Sequence, residues 1–319
     1  MAEKTNVWLD GVMGVVVGDA LGCPVQFKSR KVVARYPITG MRGYGTFHLP
    51  EGSWTDDSSL TFATLESIRR IEGVDLDDIM ENFMKWLYDG EFTPYDESFD
   101  IGRGTMQAIN RYRKNRKANK CGGDEESNNG NGGLMRILPV CIYCSQMLQG
   151  KTISENEAIE IVHGVGGLTH AHIRSNIACG LYFFMVYEIL NGTGSLQDRL
   201  QAGMTQGFAF YESYLADKEN LHCYDRLLKL DSFADTSVDQ IKSSGYVVYT
   251  LEAAIWSLIT TDSFEQALLK AVNLGEDTDT VGAVAGGLAG LYYGYAAIPE
   301  DWLKVIKRRD WIEKMCSPE

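Results

Sequence analysis

Apolar residues recur at three- and four-residue spacing along most of the chain, and this periodicity predicts amphipathic helices. It continues through residues 177–190 and 250–259, whereas the alternation of apolar and polar residues that strands need is scarce. No internal repeat is visible. The pattern therefore predicts an all-α protein built from many short and medium helices. The clearest amino-terminal examples are Val12, Val15 and Val16; Leu65, Ile68 and Ile71; and Ile79, Phe83 and Leu87.

One apolar stretch, residues 281–298, carries no charge and could be mistaken for a membrane span. Gly282, Gly286 and Gly290 even repeat there at the spacing found in membrane helix pairs. The stretch is rich in Gly and Ala rather than Leu and Ile, and the mean hydropathy of the chain is only −0.18. We therefore predict a helix at the protein centre and expect no membrane. Each interior glycine costs about 1 kcal/mol of helix propensity, so this many predict unusually close backbones.

Length and composition indicate a globular protein with a substantial core. The chain has 319 residues, of which 45% are hydrophobic and 23% charged. No Pro/Ser-rich linker or composition shift divides it, so we predict one domain over residues 1–319, with a monomer as the favoured state.

The net charge of −13 argues against non-specific binding to nucleic acid. The basic run at residues 111–120 is interpreted as a solvated helix end and loop rather than a nucleic-acid patch.

The seven cysteines, without an apparent secretory signal at the amino terminus, favour reduced thiols and a cytoplasmic location. Cys141 and Cys144 form a C-x-x-C pair within an apolar stretch, and no second pair accompanies them. Buried helix neighbours are therefore expected rather than a zinc or redox site.

Two acidic segments stand directly before apolar helical runs. Residues 52–59 read GSWTDDSS, and residues 276–280 read EDTDT before the glycine-rich helix. Helix capping explains one carboxylate in each segment. It does not explain three acids ahead of an uncharged buried segment, because unpaired buried charge is costly. A bound cation would remove that cost.

The donor atoms of the two segments restrict the kind of cation. They offer carboxylates and hydroxyls but no thiolate or imidazole, and such a set selects Mg²⁺, Mn²⁺ or Ca²⁺ over zinc. Two aspartates from each segment would suffice for a pair of ions roughly 3.5–4 Å apart, if the segments meet.

A glycine-rich loop, SNNGNGGLMR at residues 127–136, runs into an apolar segment. Its backbone amides can form an anion-binding nest, and a following helix start would add a favourable dipole. Considered alone, a plain flexible loop fits the sequence about as well.

Together these motifs resemble the ADP-ribosylglycohydrolase family. The resemblance spans nearly the whole chain in the family's order, and the TDD and DTDT signatures are its most specific part. The matching segments are GVMGVVVGDALGCPVQF (11–27), GSWTDDSS (52–59), FDIGRGT (99–105), GNGGLMRILP (130–139) and NLGEDTDTVGAVAGGLAGLYYG (273–294).

The resemblance implies a compact orthogonal helical bundle with two Mg²⁺ or Mn²⁺ ions at its centre. It implies an enzyme that releases ADP-ribose from a modified protein side chain, and the linkage it implies is to arginine. Asp100 would handle a proton beside the scissile bond, with Asp57 and Asp279 also catalytic. The implied metal ligands are Thr55, Asp56, Asp57, Asp277, Asp279 and Thr280. The implied ligand-binding residues are Gln26, Asn129, Gly130, Asn131, Gly132, Gly133, His170 and Tyr246, with His172 as an alternative to His170.

Alternatives remain open at individual positions and for the whole protein. Asp100 can also be a simple helix N-cap, and His170 and Tyr246 can be buried side chains without a ligand. Gln26 stands where many members carry Glu, and an amide cannot act as a general base. Cleavage of serine-linked or O-acetyl ADP-ribose, a non-catalytic crystallin-like binder and a two-metal phosphohydrolase are the rival functions.

Overall fold

The computed structural model of the protein describes residues 6–317, and within that range helices are joined by loops and short 3-10 turns without a β-strand. The predicted all-α class is confirmed. The helices are α1 Val7–Gly22, α2 Arg30–Val33, α3 Asp56–Ile71, α4 Leu76–Asp89, α5 Arg103–Asn115, α6 Leu138–Gln149, α7 Glu155–Gly166, α8 Ile173–Asn191, α9 Leu196–Tyr214, α10 Glu219–His222, α11 Leu230–Ala234, α12 Val247–Ile259, α13 Phe264–Val272, α14 Thr278–Tyr293, α15 Glu300–Leu303 and α16 Arg309–Cys316.

The centre of the protein is an antiparallel pair of helices, α1 and α14. Their backbones lie so close together that only glycine fits at several positions between them. A Cβ atom on Gly14 would lie 2.1 Å from the Gly286 carbonyl oxygen, and one on Gly18 would lie 1.9 Å from that of Gly282. These distances are far below van der Waals contact, so any side chain would force the helices apart. The predicted close packing of the glycine-rich helix is confirmed.

This pair brings two distant parts of the chain together at one end. The Thr278 hydroxyl donates to the Gly22 carbonyl at 2.8 Å, so the start of α14 is tied to the end of α1. The acidic segment before α14 therefore lies beside the chain that leaves α1.

Three helices bear on the question of a membrane span. Within residues 6–317, α1 with the turn that follows it and α8 have the length and hydropathy of a span, yet most of each lies buried inside the protein. Core helices have the same character. Helix α14 is buried from Thr278 through Gly290, as the sequence predicts, and ends at Gly294, whose φ is 82°.

The structure places the C-x-x-C pair and the basic run in the local structures that the sequence predicts. Cys141 and Cys144 are buried free thiols within α6. The basic run forms the last turns of α5 and the loop after it.

Candidate active site

The first acidic segment is anchored to the central helix by Asp19. Thr55 is the N-cap of α3, and Asp56 and Asp57 lie buried in its first turn. Both carboxylate oxygens of Asp19 accept from the Thr55 amide, at 3.0 and 2.9 Å, and one accepts from the Ser58 hydroxyl at 2.6 Å. Asp19 therefore fixes where Asp56 and Asp57 stand.

The second acidic segment begins α14 and meets the first. Asp277 occupies the N-cap position, and Asp279 and Thr280 lie buried in the first turn. One Asp279 oxygen accepts from the Thr280 amide at 2.9 Å. The Thr280 hydroxyl lies 3.4 Å from Asp57 Oδ2, which joins the two segments. The structure thus brings together all six predicted metal ligands.

The pKa values show how tightly the carboxylates are grouped. Burial raises the pKa of Asp56, Asp57 and Asp279 well above the ordinary value, and repulsion from neighbouring aspartates raises each further. Burial also raises the pKa of Asp277, although hydrogen bonds from Asn131 and other neighbours oppose the rise. Several buried like charges repel one another in this space.

Three buried oxygen atoms here have no hydrogen-bond partner: Asp57 Oδ1, Asp279 Oδ2 and Gln26 Oε1. Buried polar atoms are normally paired, so such a group in one place signals something other than a packed core. Within residues 6–317, no three Asp, Glu, His or Cys side chains are arranged so that they alone would enclose a metal ion. An ion between these segments would therefore need further oxygen ligands besides the carboxylates, such as the Thr55 and Thr280 hydroxyls or water.

A cavity of about 260 Å³ opens over this group and contains Asp100 in its wall. Asp100 is not a helix cap, because α5 begins at Arg103 with Gly102 at the N-cap position. Its φ of 53° turns the chain just before α5. Burial raises the pKa of Asp100, while hydrogen bonding by Gln26 and Asp279 lowers it. Gln26, itself buried, lines the same cavity as Asp100 and Asp277.

The glycine-rich loop borders the same cavity through Asn131 and Gly132. The Asn131 amide donates to Asp277 Oδ2 at 2.7 Å and to the Thr250 hydroxyl at 2.9 Å, which ties the loop to the acidic group. The loop glycines also make room for His170, since a Cβ atom on Gly132 would lie 2.4 Å from the imidazole Cε1 atom.

His170 lines the cavity as a neutral imidazole. Burial and the Arg136 guanidinium lower its pKa to about 4. Thr169 Oγ1 accepts from Arg136 at 2.9 Å and lies 2.9 Å from His170 Nδ1. Because the Thr169 oxygen accepts from Arg136, the arrangement favours donation of the Thr169 hydroxyl proton to His170 Nδ1. The ring proton of His170 is then on Nε2, where it can be donated into the cavity. His172, by contrast, is the N-cap of α8.

Several predicted ligand-binding residues lie beside the cavity rather than in its wall. Tyr246 pairs with Gly130 through a single backbone bridge, and its ring packs edge-on against Tyr249. The Asn129 side chain donates to Glu126 at 3.3 Å. Gly133 packs against the Gly166 carbonyl. Their roles toward a ligand stay predictions.

A second and larger cavity, of about 900 Å³, adjoins the first and shares Arg103, Gly104 and His170 with it. Arg111 and Lys120 also line it, so the basic run supplies cations to this cavity as well as a helix end. Sequence reasoning gave no role to Arg103 or Asp19. Asp19 carried one signal, a carboxylate directly after the apolar run at residues 12–18.

Comparisons with known proteins agree with this arrangement. The ADP-ribosylglycohydrolase family model matches residues 6–318. The chain is 30% identical over 316 residues to ADP-ribosylarginine hydrolase Tri1 of Serratia proteamaculans, covering 99% of this chain and 79% of that protein. It is also 30% identical to ADP-ribosyl-[dinitrogen reductase] glycohydrolase of Rhodospirillum rubrum, covering 92% and 88%.

More distant similarity reaches ADP-ribosylhydrolase ARH3 of Bos taurus, at 23% identity over 78% of this chain and 73% of that protein. A solved structure of an ADP-ribosylglycohydrolase-related protein complex superposes with a TM-score of 0.76 at 28% identity, covering 99% of this chain and 97% of that one.

Proposed function

Because the chain belongs to the ADP-ribosylglycohydrolase family, we propose that it hydrolyses the N-glycosidic bond between ADP-ribose and an arginine side chain of a protein. Removal of ADP-ribose from a protein side chain is the activity that its named relatives share. The arginine linkage is the finer part of the proposal. The two relatives named as arginine hydrolases are 30% and 27% identical, against 23% for the bovine ARH3 protein.

We propose that two divalent cations, Mg²⁺ or Mn²⁺, are held by Thr55, Asp56, Asp57, Asp277, Asp279 and Thr280. The observation that carries this is the buried group of mutually repelling aspartates, in which Asp57 Oδ1 and Asp279 Oδ2 have no partner. Oxygen-only ligands suit these hard cations. Such ions, when bound, supply positive charge that anchors ribose hydroxyls and makes a water more acidic.

The two adjoining cavities suit the two ends of ADP-ribose. The distal ribose would occupy the smaller cavity beside Asp100, and the diphosphate and adenosine would extend into the larger one. There the Arg103, Arg111 and Lys120 side chains and the glycine-rich loop can meet the phosphate charge. This is how a protein of net charge −13 can hold an anionic ligand.

Asp100 is the group best placed to move the proton. The C1–N bond breaks with its electron pair on the guanidine nitrogen, and a water oxygen bonds to C1 of the ribose, through a transition state of oxocarbenium character. The neutral guanidine that leaves is strongly basic, because its conjugate acid has a pKa above about 12. Asp100 accepts the proton of the attacking water and passes it to that guanidine, so both products leave in their stable forms.

Gln26 and His170 position rather than transfer protons in this scheme. Burial raises the pKa of Asp100, and the neighbouring Gln26 amide opposes part of that rise. A carboxylate that stays ionised can act as the base. His170 remains neutral near pH 7, so it offers a hydrogen-bond donor without a charge.

The experiment is product analysis by mass spectrometry on matched arginine-, serine- and O-acetyl-linked ADP-ribose. We expect intact ADP-ribose and unmodified arginine as products, with the arginine substrate cleaved fastest. Faster release from serine would overturn the linkage. Free phosphate instead of ADP-ribose would identify a phosphohydrolase, and the absence of any product would leave a binding protein.

A further inference from the structure

Phe27, which lines the smaller cavity, begins a row of three aromatic rings. The ring centroids of Phe27 and Phe47 lie 6.4 Å apart, and those of Phe47 and Phe99 lie 5.5 Å apart, both edge to face. Each end of the row adjoins a site residue in sequence, since Phe27 follows Gln26 and Phe99 precedes Asp100.

Phe27 is the exposed member of this row. It lines the cavity, yet 67% of the residue is accessible to solvent. Packing in the core therefore cannot account for a large apolar side chain at this position. An exposed aromatic ring on the rim of a cavity is typical of a surface that binds a ligand.

The backbone of Phe27 is held in a conformation that is unfavourable for its side chain. Its φ is 64°, in the left-handed region where bulky residues are rare because their side chains are strained there. Two hydrogen bonds maintain it: the Phe27 amide donates to the Glu276 carbonyl, and the Glu276 amide donates to the Lys28 carbonyl, each at 2.7 Å. The backbone of Phe27 is thus held beside Glu276, the residue before Asp277.

The charge around the ring indicates what it binds. Asp100, which is not among the proposed cation ligands, lines the same cavity as Phe27, together with Arg103, so this mouth combines an aromatic face with a carboxylate that can pair with a cationic leaving group. A guanidinium group is a flat cation that stacks on aromatic faces and pairs with carboxylates. The substituted guanidinium of ADP-ribosyl-arginine has this character, whereas an ADP-ribosyl-serine side chain has none of it.

We propose that Phe27 stacks on the guanidinium of the modified arginine and so selects the arginine linkage. The ring covers one face of the leaving group while Asp100 lies at the nitrogen that departs. This inference rests on the proposed function, and it assigns Phe27 as a specificity-determining residue rather than a catalytic one.

The test compares Phe27→Leu and Phe27→Tyr with wild type on two peptides of one sequence, modified at arginine or at serine. Leu keeps apolar bulk and a Cβ atom but has no aromatic face, so kcat/KM on the arginine peptide should fall roughly 5- to 30-fold. Tyr should retain it. Neither change should alter the rate on the serine peptide or the affinity for free ADP-ribose measured by calorimetry. Tyr36→Ala is the matched control, because Tyr36 is 76% exposed but does not line the cavity.

Two results would overturn the proposal. One is wild-type activity of Phe27→Leu on the arginine peptide. The other is an equal loss on both peptides with weaker binding of ADP-ribose, which would place the ring against the ADP-ribose itself. If wild type fails to cleave the arginine peptide, the proposed function is wrong. The role of Phe27 is then tested separately by measuring how tightly the uncleaved arginine peptide binds. The two proteins compared are Asp100→Asn and the double variant that also carries Phe27→Leu.

Discussion

Glu252 and the aspartates of the cavity are all buried acids, but they differ in the charge of their neighbours. Glu252 in α12 accepts a hydrogen bond from Arg226 at 2.6 Å, so the protein supplies its counter-charge. The pKa of Asp56 is raised by burial and then by four other aspartates. Asp19 is a third case, since its hydrogen bonds from Thr55 and Ser58 oppose the effect of burial and hold its pKa at about 6.

The difference separates structural acids from functional ones. A partner in the protein offsets part of the free-energy cost of a buried charge, whereas a buried charge without a partner bears the whole cost unless a ligand compensates it. Glu252 belongs to the fold, the aspartates of the cavity belong to the chemistry, and Asp19 serves both because it positions Asp56 and Asp57. Substitutions should therefore affect stability in the first group and turnover in the second.

The largest effect should come from Asp100→Asn. An amide cannot accept the proton of the attacking water, so the rate of ADP-ribose release should fall on the order of 10²–10⁴-fold, the usual range for a lost acid–base group. Initial rates on an arginine-linked substrate measure this. Glu252→Gln is the control that should keep its rate. A near-normal rate for Asp100→Asn would remove Asp100 from the mechanism.

Asp279→Asn should separate turnover from stability. We expect the rate to fall roughly 10²–10³-fold, the range for removing one group that stabilises developing charge. Without divalent ions, the free energy of unfolding should stay the same or rise by about 1 kcal/mol, because one repelling charge is gone. Urea denaturation and rate measurements on the same preparation check this. A variant that is both active and less stable would make Asp279 a structural acid like Glu252.

The smallest effect concerns Glu252 and pH. Burial raises its pKa to about 7, with Arg226 opposing the rise only in part. The folded state therefore holds a proton that the unfolded state has already lost between about pH 4.5 and 7, so stability falls as pH rises through that window. Relative to Glu252→Gln, wild type should lose up to about 3 kcal/mol between pH 4.5 and 8. Parallel pH profiles of the two proteins, by urea denaturation, would contradict the raised pKa.

Sequence predicted the helical class and the close packing of α14, because periodicity and glycine spacing are local signals. It misplaced the ends of α14. That helix begins at Thr278, since Asp277 takes the N-cap position, and it ends before Gly294, although apolar residues continue beyond. Apolar character alone cannot show where the backbone leaves a helix.

The sequence could predict which residues form the site, but it could not predict that they come together. Residue types selected Asp56, Asp57, Asp277 and Asp279 as candidates for oxygen ligands. That they meet depends on α1 packing antiparallel to α14, a contact between chain ends that no local pattern specifies. Asp19 and Phe27 were missed for related reasons. The role of Asp19 depends on hydrogen bonds to residues distant in the sequence. The role of Phe27 depends on its strained backbone and on the exposure of its ring.

The most direct test of the central claim is the rate of ADP-ribose release by chelator-treated protein before and after Mg²⁺ or Mn²⁺ is added. The claim is that the unpaired aspartates serve divalent cations that the reaction needs. We predict that chelation abolishes release from an arginine-linked substrate and that either ion restores it in wild type but not in Asp279→Asn. The melting temperature should rise with the ion in the same samples, because binding to the native state stabilises it. An undiminished rate in protein verified to be free of metal would contradict the account.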